Sequence, residues 1–171
     1  EGRAGIGKTT LCKYIANAWL DPKKRVSLLG WGDRFTVVIW IKLRELNVKA
    51  QNLYEAIALL YNLETEENLN KGRETSHIPQ VALDVEALLK PLEDTGKVLY
   101  LIDGYDEIAD QDSAYRHLTE ALRSKPNWIL TTRPHQFTIR SDEKARQLEI
   151  LGFTDDNITV YTDRFFEVFK A

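Results

Sequence analysis

The stretch Gly2-Arg3-Ala4-Gly5-Ile6-Gly7-Lys8-Thr9 constrains this chain most, because it fits the spacing Gly-x4-Gly-Lys-Ser/Thr in full. Glycines let a backbone turn tightly and bring its N–H groups close to an anion. After Lys8, the apolar residues Leu11, Ile15, Ala18 and Trp19 recur at helical spacing, which predicts a helix to about Leu20, ended by Asp21-Pro22. The N-terminus of that helix aims at the same point as the loop amides. The pattern points to a phosphate cradle running from Gly2 through Arg3, Ala4, Gly5, Ile6, Gly7, Lys8 and Thr9 to Thr10. Lys8 would reach the β and γ phosphates, and the Thr9 hydroxyl would ligate magnesium. The basic run Lys23-Lys24-Arg25 reads as a solvated helix end, where cations suit the helix dipole.

Downstream, strand and helix patterns alternate. Thr36–Leu43 is a β-branched apolar run of the kind buried in parallel sheets. Leu53, Ile57 and Leu60 mark a helix, and polar residues 64–78 read as an exposed loop. Val81, Val85, Leu88, Leu89 and Leu92 trace a second helical face closed by Thr95-Gly96. Val98–Ile102 is a buried strand, Leu118, Ala121 and Leu122 mark a helix, and Trp128–Thr132 is a strand stopped by Pro134. Gln147–Leu151 reads as a short edge strand. Thr154 is placed to cap a last helix, with Asp155 and Asp156 in its first turn and Ile158, Tyr161, Phe165 and Phe169 as its apolar face. The alternation predicts an α/β fold: a parallel sheet with helices on both faces. A phosphate loop follows a buried strand, whereas this chain opens on the loop and contains no methionine, so a fragment of a longer chain, lacking its first strand, is expected. Residues 1–153 are expected to form the nucleotide-binding domain, and 154–171 the start of a following helical region.

Composition bounds the function. A net charge of -3 and a pI near 5.7 supply no general attraction to nucleic acid or to a membrane surface. No apolar run approaches a membrane span and no signal peptide is visible. The single cysteine, Cys12, has no internal disulfide partner and reads as a small buried helix residue, which suits a reducing compartment.

A second signal is independent of the glycine loop. Val98–Ile102 delivers Asp103 to the C-terminal tip of a buried strand, where ligands bind in such sheets. There it would hold magnesium, usually through water. Asp106 and Glu107 follow, and either carboxylate would orient or activate a water against the γ phosphate. At the next strand end, in Thr131-Thr132-Arg133-Pro134, Arg133 would read the γ phosphate. Arg44 and Glu45, after the first visible strand, read as a structural turn.

With these motifs in order, the chain resembles a NACHT domain, the nucleotide-binding module of the signal-transducing ATPases with numerous domains, a class of P-loop NTPases. The carriers are Gly2–Leu11, Val37–Leu46, Leu101–Glu107, Leu130–Pro134 and Leu148–Thr154. Asp103-Gly104-Tyr105-Asp106-Glu107 is the most specific, because ordinary P-loop ATPases place Glu directly after the first Asp. The resemblance implies a sheet order 5-1-4-3-2 with the first strand missing from the chain. It also implies ATP and ADP with magnesium as cofactors, weak ATP hydrolysis, and nucleotide exchange that controls self-association through NACHT domains. Effector and sensor domains would lie outside this chain, in a cytoplasmic protein of innate immune signalling. By motif, Lys8 and Thr9 carry phosphate and magnesium, Asp103 supports magnesium, Asp106 and Glu107 serve hydrolysis, and Arg133 is the sensor. A P-loop kinase and a nucleic-acid-acting ATPase remain as alternatives. GTP is disfavoured, because Asn70-Lys71-Gly72-Arg73 lacks the Asp of a guanine-reading motif.

Overall fold

A computed structural model describes residues 1–27, 29–63, 78–109, 112–140, 144–152 and 154–169. The elements are α1 (Lys8–Leu20), α2 (Pro22–Ser27), β1 (Val37–Lys42), α3 (Leu53–Leu60), α4 (Ile78–Asp94), β2 (Val98–Asp103), α5 (Asp112–Arg123), β3 (Trp128–Leu130) and α6 (Asp155–Phe169). Single 3-10 turns at Leu43–Glu45 and Tyr105–Glu107 leave the tips of β1 and β2. The strands form one parallel sheet in the order β1-β2-β3, which matches the 2-3-4 portion of the expected order.

Period-two alternation divides the central strand between two cores. Val98, Tyr100 and Ile102 join Ile39 and Ile41 beneath α3, α4 and α5, while Leu99 and Leu101 pack with Cys12, Ile15, Trp19 and Phe35 on the α1 side. All six residues of β2 are buried, as a strand covered on both faces must be. The predicted apolar positions of α1, Cys12 included, are buried except Leu11. On α4, Leu88 departs from the expected face: it is exposed, and Val81, Val85 and Leu89 make the contact. Among the described residues, no helix is long and apolar enough to cross a membrane.

Local chemistry explains the boundaries. Asp21-Pro22 ends α1 as expected, but it also starts α2. Asp21 Oδ1 accepts the Lys23 amide at 2.9 Å, and Pro22 fits the first helical position. The basic run lies on this second short helix, with Lys24 and Arg25 in its last turn as a cationic helix end requires, and the Arg25 guanidinium stacks 4.5 Å over the Trp19 ring. Asn52 caps α3 through the Glu55 amide, at 2.9 Å. Thr154 caps α6 as predicted, with its Oγ1 3.3 Å from the Asn157 amide. Ile158 is half exposed, and the side chains of Tyr161, Phe165 and Phe169 lie outside the described residues, as do residues 64–77 of the predicted loop.

The expected edge strand at 147–151 is not formed. A groove of about 720 Å³, lined by Trp128, Leu130, Leu148 and Ile150, separates these residues from β3. Among the described residues, Glu1 and Gly2 bridge it: the Gly2 amide donates to the Thr132 carbonyl (3.1 Å), the Ile150 amide to the Glu1 carbonyl (2.8 Å), and the Glu1 backbone nitrogen to the Leu148 carbonyl (2.5 Å). A strand exists through its ladder, and two bridging residues do not make a ladder.

On the far side of the sheet, β1 pairs only with β2 among the described residues, and Tyr61 covers part of its outer edge. The Tyr61 hydroxyl accepts from the Trp40 amide (3.1 Å) and donates to the Trp40 carbonyl (2.7 Å). Such plugging protects a sheet edge from pairing with other chains. Tyr61→Phe is expected to lower stability by about 0.5–1.5 kcal/mol in urea unfolding. An unchanged midpoint would mean that water replaces the hydroxyl at no loss.

Candidate nucleotide and metal site

The glycine loop is shaped by backbone freedom. Gly5 and Gly7 have φ of 74° and 101°, in the left-handed region where side chains are strained. Gly2 has another reason to be glycine: a Cβ there would stand 2.5 Å from Ile6 Cγ2. Gly152 makes the same demand from the other side, at 2.9 Å from Ile6 Cδ1, so Ile6 sits in a slot that two glycines keep open. Gly7 precedes α1 without any side-chain cap, and the first turn carries no acidic residue. A thirteen-residue helix thus presents an uncapped, positive N-terminus. Thr9, Thr10 and Arg3 are exposed there. Lys8 lies back across the loop, its Nζ donating to the carbonyls of Gly2 (3.0 Å) and Arg3 (3.2 Å).

The strand tips converge on the same end of the sheet. Asp103 closes β2 on the face that carries Leu99 and Leu101, and it is buried. Its Oδ1 accepts the Thr131 hydroxyl at 2.6 Å, and the Gly104 amide donates to Thr131 Oγ1 at 3.0 Å. Cys12 lies in hydrogen-bonding range of the same carboxylate, one helical turn after Lys8. Burial first, and then the Asp103 charge, push the Cys12 thiol up to about 12, so it stays protonated. It is a packing residue with no thiolate character, as its buried helical position suggested.

Asp106 is the meeting point of two cations. Its Oδ2 takes Arg133 Nε at 2.8 Å and its Oδ1 stands 4.0 Å from Lys8 Nζ, with the Asp106 side chain 5% exposed. Glu107, the other acid of the cluster, turns elsewhere: its Oε2 is 3.3 Å from Arg44 Nη1. Lys8, Asp106 and Arg133, taken from three separate motifs, therefore come together, whereas Glu107 joins the tip of β1. The turn at Arg44-Glu45 is structural as expected, with Glu45 paired to Lys42 at 3.0 Å, but Arg44 adds a link to the acidic cluster that chain spacing did not reveal. Residue type and spacing alone do not single out Thr131 as a site residue. Period-two alternation from Ile129 was the signal that would have placed its side chain beside Asp103.

These residues fit a nucleotide phosphate with magnesium. Asp106 Oδ1 and Thr132 Oγ1 are buried polar atoms without a hydrogen-bond partner in this structure, which is costly unless something polar meets them. Among the described residues no group of three His, Cys, Asp or Glu forms a metal cage. Thr9 and Asp103 offer a hydroxyl and a carboxylate oxygen, the donor type magnesium takes alongside waters and phosphate.

A family model described as the NACHT domain matches residues 1–168. Among curated proteins, the chain is 30% identical over 136 residues to NLR family CARD domain-containing protein 4 of Xenopus tropicalis, covering 77% of this chain and 11% of that protein. It is 31% identical over 175 residues to NACHT, LRR and PYD domains-containing protein 1a of Mus musculus, covering 90% of this chain and 13% of that protein. The chain thus spans little more than a tenth of the length of these relatives. No solved structure matches it to significance.

Proposed function

The chain belongs to the NACHT domain family of P-loop NTPases, and on that premise we propose that it binds ATP and ADP with magnesium and hydrolyses ATP slowly as a regulatory switch. The observation that carries this reading is the convergence of Lys8, Asp106 and Arg133, which come from three strand ends or loops and share one buried carboxylate. The uncapped N-terminus of α1 and the buried Thr132 hydroxyl, which has no hydrogen-bond partner, support the same reading.

In this reading the amides from Gly2 to Thr10 and the Lys8 ammonium hold the phosphates. The Thr9 hydroxyl and, through water, Asp103 would hold magnesium, which would supply charge neutralisation on the phosphate oxygens. Asp106 orients the attacking water, since of the two candidate carboxylates it is the one within reach of Lys8. Arg133 senses the γ phosphate: it is paired with Asp106 and exchanges that partner for phosphate, so its position reports on the nucleotide. The exchange is linked to self-association of NACHT domains in a longer, cytoplasmic signalling protein that carries effector and sensor modules. The relatives' names mention CARD, PYD and LRR elements, which supports that wider setting.

Single-turnover hydrolysis tests the assignment of the water-orienting group. Asp106→Asn is expected to slow cleavage by roughly 10²–10⁴-fold, the usual range for a positioned acid or base. Glu107→Gln is expected to have a smaller effect. The reverse ranking would transfer the role to Glu107.

A further inference from the structure

We propose that Thr131 is a positioning residue for the metal-binding carboxylate, holding Asp103 in one orientation through the hydrogen bond its hydroxyl donates to Oδ1. The inference rests on the nucleotide–magnesium reading of the site and extends it to a residue outside the phosphate loop and the acidic cluster.

The register sets the contact. Ile102 stands opposite Leu130, so the next residues along the two parallel strands, Asp103 and Thr131, are neighbours at the tip of the sheet. Both follow α1-facing residues by two positions, Leu101 and Ile129, and so point to the same face. The hydrogen bonds then fix the direction of the proton. The Gly104 amide can only donate, and it donates to Thr131 Oγ1 at 3.0 Å. The Asp103 carboxylate can only accept, and it takes the remaining proton from the same hydroxyl at 2.6 Å. Gly104 has a φ of 82°, a conformation that only glycine adopts readily, and this turns its amide back towards Thr131. The Tyr105 amide also donates to the Thr131 carbonyl, at 3.0 Å, so the backbone between the two strand tips is held from both sides.

The consequence is a carboxylate with one oxygen committed. Asp103 Oδ1 is engaged by Thr131, and the Cys12 thiol lies in hydrogen-bonding range of the same carboxylate, so Thr131 supplies the shortest contact that orients it. Thr131 and Asp103 are both buried, so water does not compete for this arrangement. Partners behind a metal ligand set its orientation in this way, and their loss characteristically weakens metal binding more than it weakens the fold.

The test uses Mn²⁺ as the magnetic probe in place of magnesium and ADP as the nucleotide, so that no turnover is needed. Mn²⁺ half-saturation is read by electron paramagnetic resonance in the purified protein, and ADP binding in EDTA is read by calorimetry. Thr131→Val, which keeps the shape and removes the hydroxyl, is expected to raise the Mn²⁺ half-saturation by up to about 10-fold, the low end for an outer-shell partner because Asp103 meets the metal through water, while metal-free ADP binding is unchanged. Thr131→Ser, which keeps the proton, is expected to restore wild-type metal binding. An unchanged Mn²⁺ half-saturation in Thr131→Val, an equal loss of ADP with and without metal, or a failure of Thr131→Ser to restore binding would each overturn the proposal. If Thr131→Val does not fold, Thr131→Ala decides, because it too removes the donor: weakened Mn²⁺ binding supports the proposal and wild-type binding overturns it. Failure of the underlying site reading is a separate result, seen in the wild-type protein as ADP binding that Mn²⁺ does not affect.

Discussion

Lys8→Ala is expected to strip nucleotide from the protein, lowering affinity for ATP and ADP on the order of 100-fold or more. A hydrogen bond to a charged group is worth about 1.5–3 kcal/mol, and Lys8 is placed to make more than one, while each 1.4 kcal/mol is a factor of ten. The structure also says what the substitution spares. The partners of Lys8 Nζ are the carbonyls of Gly2 and Arg3 and the carboxylate of Asp106, all at the rim of the sheet, and neither core contains it. Unfolding temperature without nucleotide is therefore expected to stay close to wild type. Bound nucleotide and assembly state should be measured on the same sample. Nucleotide retained at wild-type levels would remove the site assignment, and normal assembly without nucleotide would remove the switch.

The second large effect lies away from the site, in a polar cluster beneath α3 and α4. Glu93 Oε2 accepts from Lys125 Nζ at 2.6 Å and from the Tyr54 hydroxyl at 3.0 Å, and Glu93 Oε1 accepts from the Tyr100 hydroxyl. Lys125 Nζ also donates to the Tyr54 hydroxyl, at 3.0 Å. The cluster ties α3, α4, β2 and the segment after α5 to one carboxylate. Lys125→Met would leave that charge buried and short of its main partner, at an expected cost of about 3–5 kcal/mol. At this chain length that lowers the unfolding temperature by roughly 6–20 °C.

The same cluster predicts a pH dependence. Burial pushes the Glu93 carboxyl up, but the hydrogen bonds from Lys125, Tyr100 and Tyr54 outweigh it and hold the group below its ordinary 4.5. Burial pushes Lys125 down, but its bonds to Glu93 and Tyr54 and the Glu93 charge raise it above 10.5. A lowered carboxyl adds stability above its unfolded value and loses it as pH falls through the folded value. A raised ammonium adds stability below its unfolded value and loses it as pH rises through the folded one. The pair is therefore expected to contribute fully between 4.5 and 10.5. In Lys125→Met the acid limb of a stability–pH curve should move to higher pH. An acid limb in the same place would show that Lys125 does not hold Glu93 ionised.

Much of the fold was legible because its signals are local. Leu11, Ile15 and Trp19 mark a helix by spacing, and Val98–Ile102 marks a doubly covered strand by having no polar face. Gln147–Leu151 misled because apolar residues report only a wish for burial, and strand formation depends on a partner that sequence does not display. Leu148 and Leu151 are exposed in the structure. The phosphate loop and the acidic cluster were visible as types and spacings. What spacing could not convey was which acid meets which cation. Asp106 and Glu107 are adjacent in sequence, yet a single 3-10 turn sends one to Arg133 and Lys8 and the other to Arg44. Glu93, Lys125, Tyr54 and Tyr100 are scattered over distant segments, and only the packed structure shows that they belong together.

A crystal structure of the protein with magnesium and a slowly hydrolysed ATP analogue measures the claimed convergence directly. The expected result is the β and γ phosphates on the loop amides and Lys8 Nζ, with the metal on Thr9 Oγ1 and a water of its shell on Asp103, and with Arg133 transferred from Asp106 to the γ phosphate. A nucleotide bound elsewhere, or a metal on the loop with no water reaching Asp103, would contradict it.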